Sequence, residues 1–122
     1  MTETADANLV IAALNPADAL HERARRHLSG RDRLLVPYSV GIELLFIARR
    51  HRATHLDIIV ATEDLFDVAR AGILRTAAEA LDSGELRTVF DAVHVSDALH
   101  RGSSLHTTDA ALLRSDFPTT AF

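Results

Sequence analysis

A chain of 122 residues, 48% of them hydrophobic, is long enough to bury a core and reads as one domain, residues 1–122. It contains no cysteine, which excludes disulfides, thiolate metal sites and cysteine nucleophiles, and all 13 basic residues are arginine, which excludes Schiff-base, P-loop and receiver-domain chemistry that needs a lysine. The net charge of −4 argues against a non-specific polyanion binder, whose affinity rests on a basic surface.

The opening Met1–Ala5 is polar, and the apolar run Leu9 to Leu14 is too short to cross a bilayer. With no signal-peptide pattern, a soluble cytoplasmic protein without membrane contact is expected. Asn15-Pro16-Ala17-Asp18 predicts a helix start, with Asn15 as cap, Leu20, Ala24 and Leu28 on one stripe, and Ser29-Gly30 as the stop. Leu34–Val36, closed by Pro37, reads as a buried strand. Ser39 is the expected cap of a helix running to about Arg52, apolar almost all round from Ile42 to Ala48.

Thr54 with Asp57 marks a third helix start, carrying Ile58, Ala61 and Leu65 on one side. Phe66–Ala69 reads as a short strand and Gly72 to about Leu81 as a helix. Thr88 with Asp91 opens a further helix that Gly102 stops. Ser104–Thr107 then reads as a strand, Asp109 to about Ser115 as a short helix, and Pro118–Phe122 as a brief edge strand. Strands alternating with helices imply an α/β fold with a parallel sheet, ligands gathering beyond the carboxyl ends of its strands.

Four carboxylates stand out in this arrangement: Asp6, Glu43, Asp91 and Asp109. Asp6 and Asp109 fall at the ends of candidate strands, where each can also serve as a turn or N-cap. Glu43 has Val40, Phe46 and Ile47 as helical neighbours, an apolar face that calls for a metal or a buried arginine partner. Asp91 sits three residues after Thr88 and fits a capping arrangement, with His94 one turn on; Asp97 pairs with Arg101 at i, i+4.

Two carboxylates roughly 5 Å apart repel by about 3 kcal/mol at an effective dielectric of about 20. Four in one pocket therefore require protons or a cation. Oxygen donors without thiolates or a histidine set favour magnesium or manganese, which bind phosphate oxygens and point to phosphodiester hydrolysis. Asn8 and Thr107 or Thr108 are then the groups that hold ligands or orient water. Arg49 and Arg50 close the helix bearing Glu43, where they either grip a substrate backbone or complement the helix dipole.

In order and type these residues resemble the PIN-domain nucleases, and among them the VapC-like toxins of type II toxin–antitoxin systems. Asp6-Ala7-Asn8 with the apolar run after it resembles the opening motif. Ile42-Glu43-Leu44-Leu45 is similar to the second, Phe90-Asp91-Ala92-Val93-His94 to the third and Leu105-His106-Thr107-Thr108-Asp109 to the fourth. Asp116 is a possible fifth acid. The resemblance implies a three-layer, Rossmann-like α/β/α sandwich with a central parallel sheet. It also implies a magnesium- or manganese-dependent endoribonuclease, commonly a homodimer, neutralised by a cognate antitoxin, with Asp6, Glu43, Asp91 and Asp109 as the metal-binding acids. The polar Met1–Ala5 departs from the family's apolar first strand, so that strand is short and altered or the start is unusual. The departure motivates a second expectation, a PIN-like fold kept as a non-catalytic RNA-binding or assembly module.

Overall fold

Leu35 is the residue on which the first sheet is assembled. In the computed structural model, which describes residues 2–122, its N–H donates to the Glu3 carbonyl and its carbonyl accepts the Ala5 N–H, both at 2.9 Å. These bonds make a single parallel bridge between Thr4 and Leu35. On its other edge Leu35–Val36 (β1) pairs in parallel with Asp67–Val68 (β2), Leu35 opposite Asp67 and Val36 opposite Val68. The polar opening thus adds one bridge residue where a longer strand was in question. Thr2, Glu3 and Thr4 are exposed and only Ala5 is buried, so the segment has little apolar surface to hold a longer strand inside. Met1 lies outside the described residues.

The chain turns from this bridge into α1 (Ala7–Leu14), whose Val10 and Ala13 are fully buried. The helix expected from Pro16 begins late, at His21, and runs to Leu28 as α2. Asn15 Oδ1 accepts the Ala17 N–H at 3.0 Å and Asp18 Oδ1 accepts the Leu20 N–H at 2.8 Å. Both side chains therefore fold the backbone into tight turns, competing successfully with helix. α2 then serves α1: His21 Nδ1 lies 2.7 Å from the Ala12 carbonyl, and Arg25 Nε donates to the Ala13 carbonyl at 2.7 Å.

After β1, α3 spans Tyr38–Ile47. Its cap position is Pro37 rather than Ser39, because the proline φ of −62° already suits the entry and no side-chain cap bond is made. The expected run to Arg52 continues only as a 3-10 turn, Ala48–His51, ended by Arg52 at a φ of 55°. α4 (His55–Leu65) starts as expected at Thr54, whose Oγ1 accepts the Asp57 N–H at 3.0 Å. Arg33 reaches the far end of α4, donating to the carbonyls of Asp64 at 3.1 Å and Phe66 at 2.7 Å and to the Asp67 carboxylate at 3.1 Å. A cation on the orphan carbonyls of a helix end is favourable on both hydrogen-bonding and dipole grounds.

α5 (Ala71–Ser83) and α6 (Val89–His100) pack on each other, and the fully buried Ala77, Ala78 and Ala92 let the two helices approach closely. The last elements are β3 (Leu105–Thr107), α7 (Ala110–Leu113) and β4 (Thr119–Ala121), with β3 and β4 parallel and Leu105 opposite Thr119. The described residues thus form an α/β fold with seven α-helices and two separate parallel strand pairs. Val36, Leu44, Ile59, Phe66, Leu74 and Val95 anchor the core between them. No helix among the described residues is long and apolar enough to cross a membrane.

Candidate active site

α3 packs against both α1 and α6, and α6 packs against β3. That topology joins the elements carrying the four singled-out acids. Asp6 is the N-cap of α1 and follows the Thr4 bridge; its Oδ1 accepts the Leu9 N–H at 2.9 Å. Asp109 follows β3 and caps α7, its Oδ1 accepting from the N–H groups of Ala111 at 2.8 Å and Leu112 at 3.1 Å. Both cap roles read from the sequence are therefore made, and each uses one carboxylate oxygen, leaving Oδ2 without a protein partner among the described residues.

Asp91 stands in the first turn of α6, where its N–H donates to Thr88 Oγ1 at 3.3 Å. The returning half of a capping box is absent: among the described residues its carboxylate makes no hydrogen bond and no ion pair. Glu43, in the middle of α3, has neither an arginine nor a hydrogen-bond donor as partner among the described residues. Its expected burial on an apolar face is corrected: Glu43 is exposed, and its neighbour Phe46 is 51% exposed. The helix is apolar nearly all round, but its core contacts come from Gly41, Leu44 and Leu45, on the opposite side.

The remaining candidates fall around these acids. Asn8 is exposed on α1 and borders a cavity of about 490 Å³ that it shares with Leu20, Arg23 and His27. Thr107 Oγ1 accepts the Asp109 N–H at 3.0 Å and so fixes the approach to α7, while Thr108 is exposed. Arg49 and Arg50 are exposed in the 3-10 turn. Asp116 lies in the loop after α7, where its N–H donates to Glu85 Oε1 at 2.9 Å beside Arg87 and Arg114. Asp97 pairs with Arg101 at 2.7 Å, as its spacing indicated.

Sequence reasoning missed the aromatic side chains beside the acids. Phe46 meets Phe90 edge-on with ring centroids 5.2 Å apart, and Phe90, next to Asp91, is 55% exposed. A phenylalanine one turn from Glu43 and another adjoining Asp91 were the available signal. A second unread feature lies at the start of α3, where the Tyr38 ring sits under the Arg70 guanidinium, 5.0 Å from its centroid. Burial pushes the Tyr38 hydroxyl above its ordinary value, with the Asp97 carboxylate adding to the shift and Arg70 and Arg101 opposing it.

As donors, these groups suit a hard cation: carboxylate oxygens of exposed Asp6, Glu43 and Asp109 and of half-buried Asp91, those of Glu43 and Asp91 without a partner among the described residues. Among the described residues, however, no three acidic or histidine side chains are grouped closely enough to hold a metal together. Magnesium tolerates that arrangement, because it keeps several waters and commonly takes one or two protein carboxylates plus substrate phosphates. A family model, that of the PIN domain, matches residues 4–118. No curated protein and no solved structure gives a significant match.

Proposed function

The chain belongs to the PIN-domain family, whose members are generally nucleases, and from that premise we propose that it is a magnesium- or manganese-dependent endoribonuclease and the toxin of a type II toxin–antitoxin pair. The observation that carries the reading is the pair of carboxylates, exposed Glu43 and half-buried Asp91, that lack a partner among the described residues and stand on two helices that pack together. A charged side chain normally gains a partner or a structural bond where one is in reach, and Arg49 and Arg50 in the 3-10 turn after α3 do not pair with Glu43. Asp6 and Asp109 complete the proposed set with their free Oδ2 atoms. When bound, the divalent ion would neutralise phosphate oxygens and make a water more acidic.

The chain's own contribution is positional. The caps made by Asp6 and Asp109 lock those side chains to helix starts, so one oxygen of each is held while the other stays open. Thr107 fixes the turn into Asp109, and Asn8, two residues past Asp6, is available to orient water. The same reading joins the two strand pairs into one central sheet between helical layers, and adds a homodimer, cytoplasmic location and a cognate antitoxin as partner. The test is cleavage of a mixed structured RNA pool with manganese, magnesium or EDTA, beside Glu43→Gln. Metal-dependent cleavage that the variant loses is the expected result; equal cleavage by both proteins would exclude the assigned site.

One observation favours a second reading, a non-catalytic RNA-binding or assembly module. The segment leading into Asp6 is tied down by a single bridge residue, so the first acid rests on a slight support. RNA binding without cleavage at every metal concentration, from folded protein, would decide for that module.

A further inference from the structure

Glu43, Phe46, Arg49 and Arg50 follow one another along α3 and its 3-10 extension at spacings of three, three and one, and all four are exposed. Residues three, four or seven apart share a helix face, so Glu43, Phe46 and Arg49 follow at threes, and Arg50 stands four from Phe46 and seven from Glu43 on the same side. Against this stripe α6 brings two more rings. Phe90 touches Phe46 at 66° between planes, and His94, one turn on and exposed, lies within 19° of parallel to Phe90 with centroids 6.1 Å apart.

Single exposed hydrophobics are ordinary, but Phe46 and Phe90 are exposed in mutual contact beside two acids, which makes them a contact surface rather than scattered side chains. The surroundings discriminate between occupants. The core of a protein–protein patch is depleted of charge, whereas here carboxylates flank the rings on one side and arginines on the other. A nucleotide strand matches that order: phosphate towards a cation-bearing acid, base on an aromatic face, next phosphate towards a guanidinium.

Resting on the ribonuclease reading, we propose that Phe46, Phe90 and His94 form a platform on which one unpaired base of an RNA strand stacks, with Arg49 and Arg50 on the adjoining phosphates. Every base has a face that stacks on an aromatic ring, so the platform selects for unpaired bases rather than for a sequence. In a duplex those faces are covered by neighbouring bases and are not available.

The experiment titrates the full chain, in EDTA and again in calcium, against a short single-stranded RNA carrying a fluorescent adenine analogue at successive positions. Quenching at one position is expected, with no quenching in the matching duplex. Phe90→Ala raises Kd about tenfold, the scale of one lost base stack, and Phe90→Tyr restores it. In cleavage assays Phe90→Ala raises KM more than it lowers kcat. Absence of quenching at every position overturns the platform. So does unchanged RNA affinity in Phe46→Ala and Phe90→Ala, including the case where these variants instead lose self-association in sedimentation and assign the face to a second copy. Quenching without cleavage in any metal sinks the nuclease reading and leaves the platform; cleavage with unchanged KM in Phe90→Ala does the reverse.

Discussion

Thr88 Oγ1 accepts the Asp91 N–H at 3.3 Å, yet the Asp91 carboxylate does not answer with a bond to the Thr88 backbone. The same half-made box recurs at Thr54 and Asp57. A reciprocal box uses glutamate or glutamine at the third position, and aspartate is one methylene shorter. Asp91 is therefore free of a capping duty that its spacing suggested.

The two residues should consequently separate stability from activity. Thr88→Ala is expected to cost about 1 kcal/mol in denaturant unfolding, the usual cost of a lost N-cap, with cleavage per folded molecule retained. Asp91→Asn removes no side-chain bond and should change stability by less than about 1 kcal/mol, the upper range for an acid facing the helix dipole in a first turn. Its cleavage rate should fall by more than the roughly 10- to 100-fold that loss of a residue outside the ligand set costs. An Asp91→Asn protein that is destabilised but fully active would return Asp91 to a structural role.

Asp6 and Asp109 carry both duties at once, and the choice of substituent divides them. Asparagine caps a helix about as well as aspartate, whereas alanine does not. Asp6→Asn and Asp109→Asn should therefore unfold at wild-type denaturant concentrations while losing metal-dependent cleavage. The alanine variants should lose cleavage and also about 1 kcal/mol of stability. Should Asn variants keep cleavage, the two aspartates are caps and nothing more.

These roles show how far the sequence could be read. The N-caps at Thr54, Thr88 and Asp109 are local hydrogen bonds between residues a few positions apart, and such signals survive without tertiary information. Asn15 and Asp18 carry the same chemistry in turns rather than at a helix start, and sequence does not separate the two because a turn and a cap use identical side-chain oxygens. The outward side of Glu43 is illegible for a different reason: in a helix apolar nearly all round, periodicity does not say which face the core takes. Gly41, Leu44 and Leu45 decide it through contacts with elements far along the chain. Arg33 and Arg25, bonded to carbonyls 33 and 12 residues away, likewise spend part of the all-arginine complement on the fold, and no local pattern announces that.

The start of α4 has a second, long-range cap that responds to pH. Asp82 accepts the His55 and Leu56 N–H groups at 2.8 and 2.9 Å and lies 2.8 Å from His55 Nδ1. Burial alone would raise the Asp82 carboxyl, but the backbone donors of Leu56 and His55 and the His55 ring together hold it below its ordinary value. A carboxylate depressed in the folded state stabilises above its unfolded pKa, and that contribution is lost as pH falls through the folded value. The Tm of wild type should thus drop as pH falls below about 4, the usual aspartate value. Asp82→Asn should have a lower Tm at neutral pH and a shallower decline over that acidic range. Parallel curves for the two proteins would remove Asp82 from the account.

Gly41 links the site to the core. It is buried on the inner side of α3, and a methyl group built there would overlap Cδ1 of Leu74 on α5. Leu74 is itself completely buried, so its end cannot swing into solvent to make room. Gly41→Ala should therefore destabilise by about 1–3 kcal/mol, the range for overpacking a filled core, despite the better helix propensity of alanine. Leu74→Ala alone should cost about 2–5 kcal/mol through the cavity it leaves. Combined, the added methyl enters that cavity, so the double variant should be more stable than the sum of the two losses by about 0.5–3 kcal/mol. Because Glu43 lies two residues beyond Gly41 on the same helix, the single Gly41→Ala variant should also lose cleavage activity, and the double variant recover part of it. Additive stabilities would mean that α3 yields without strain and that the site does not depend on how closely this helix is seated.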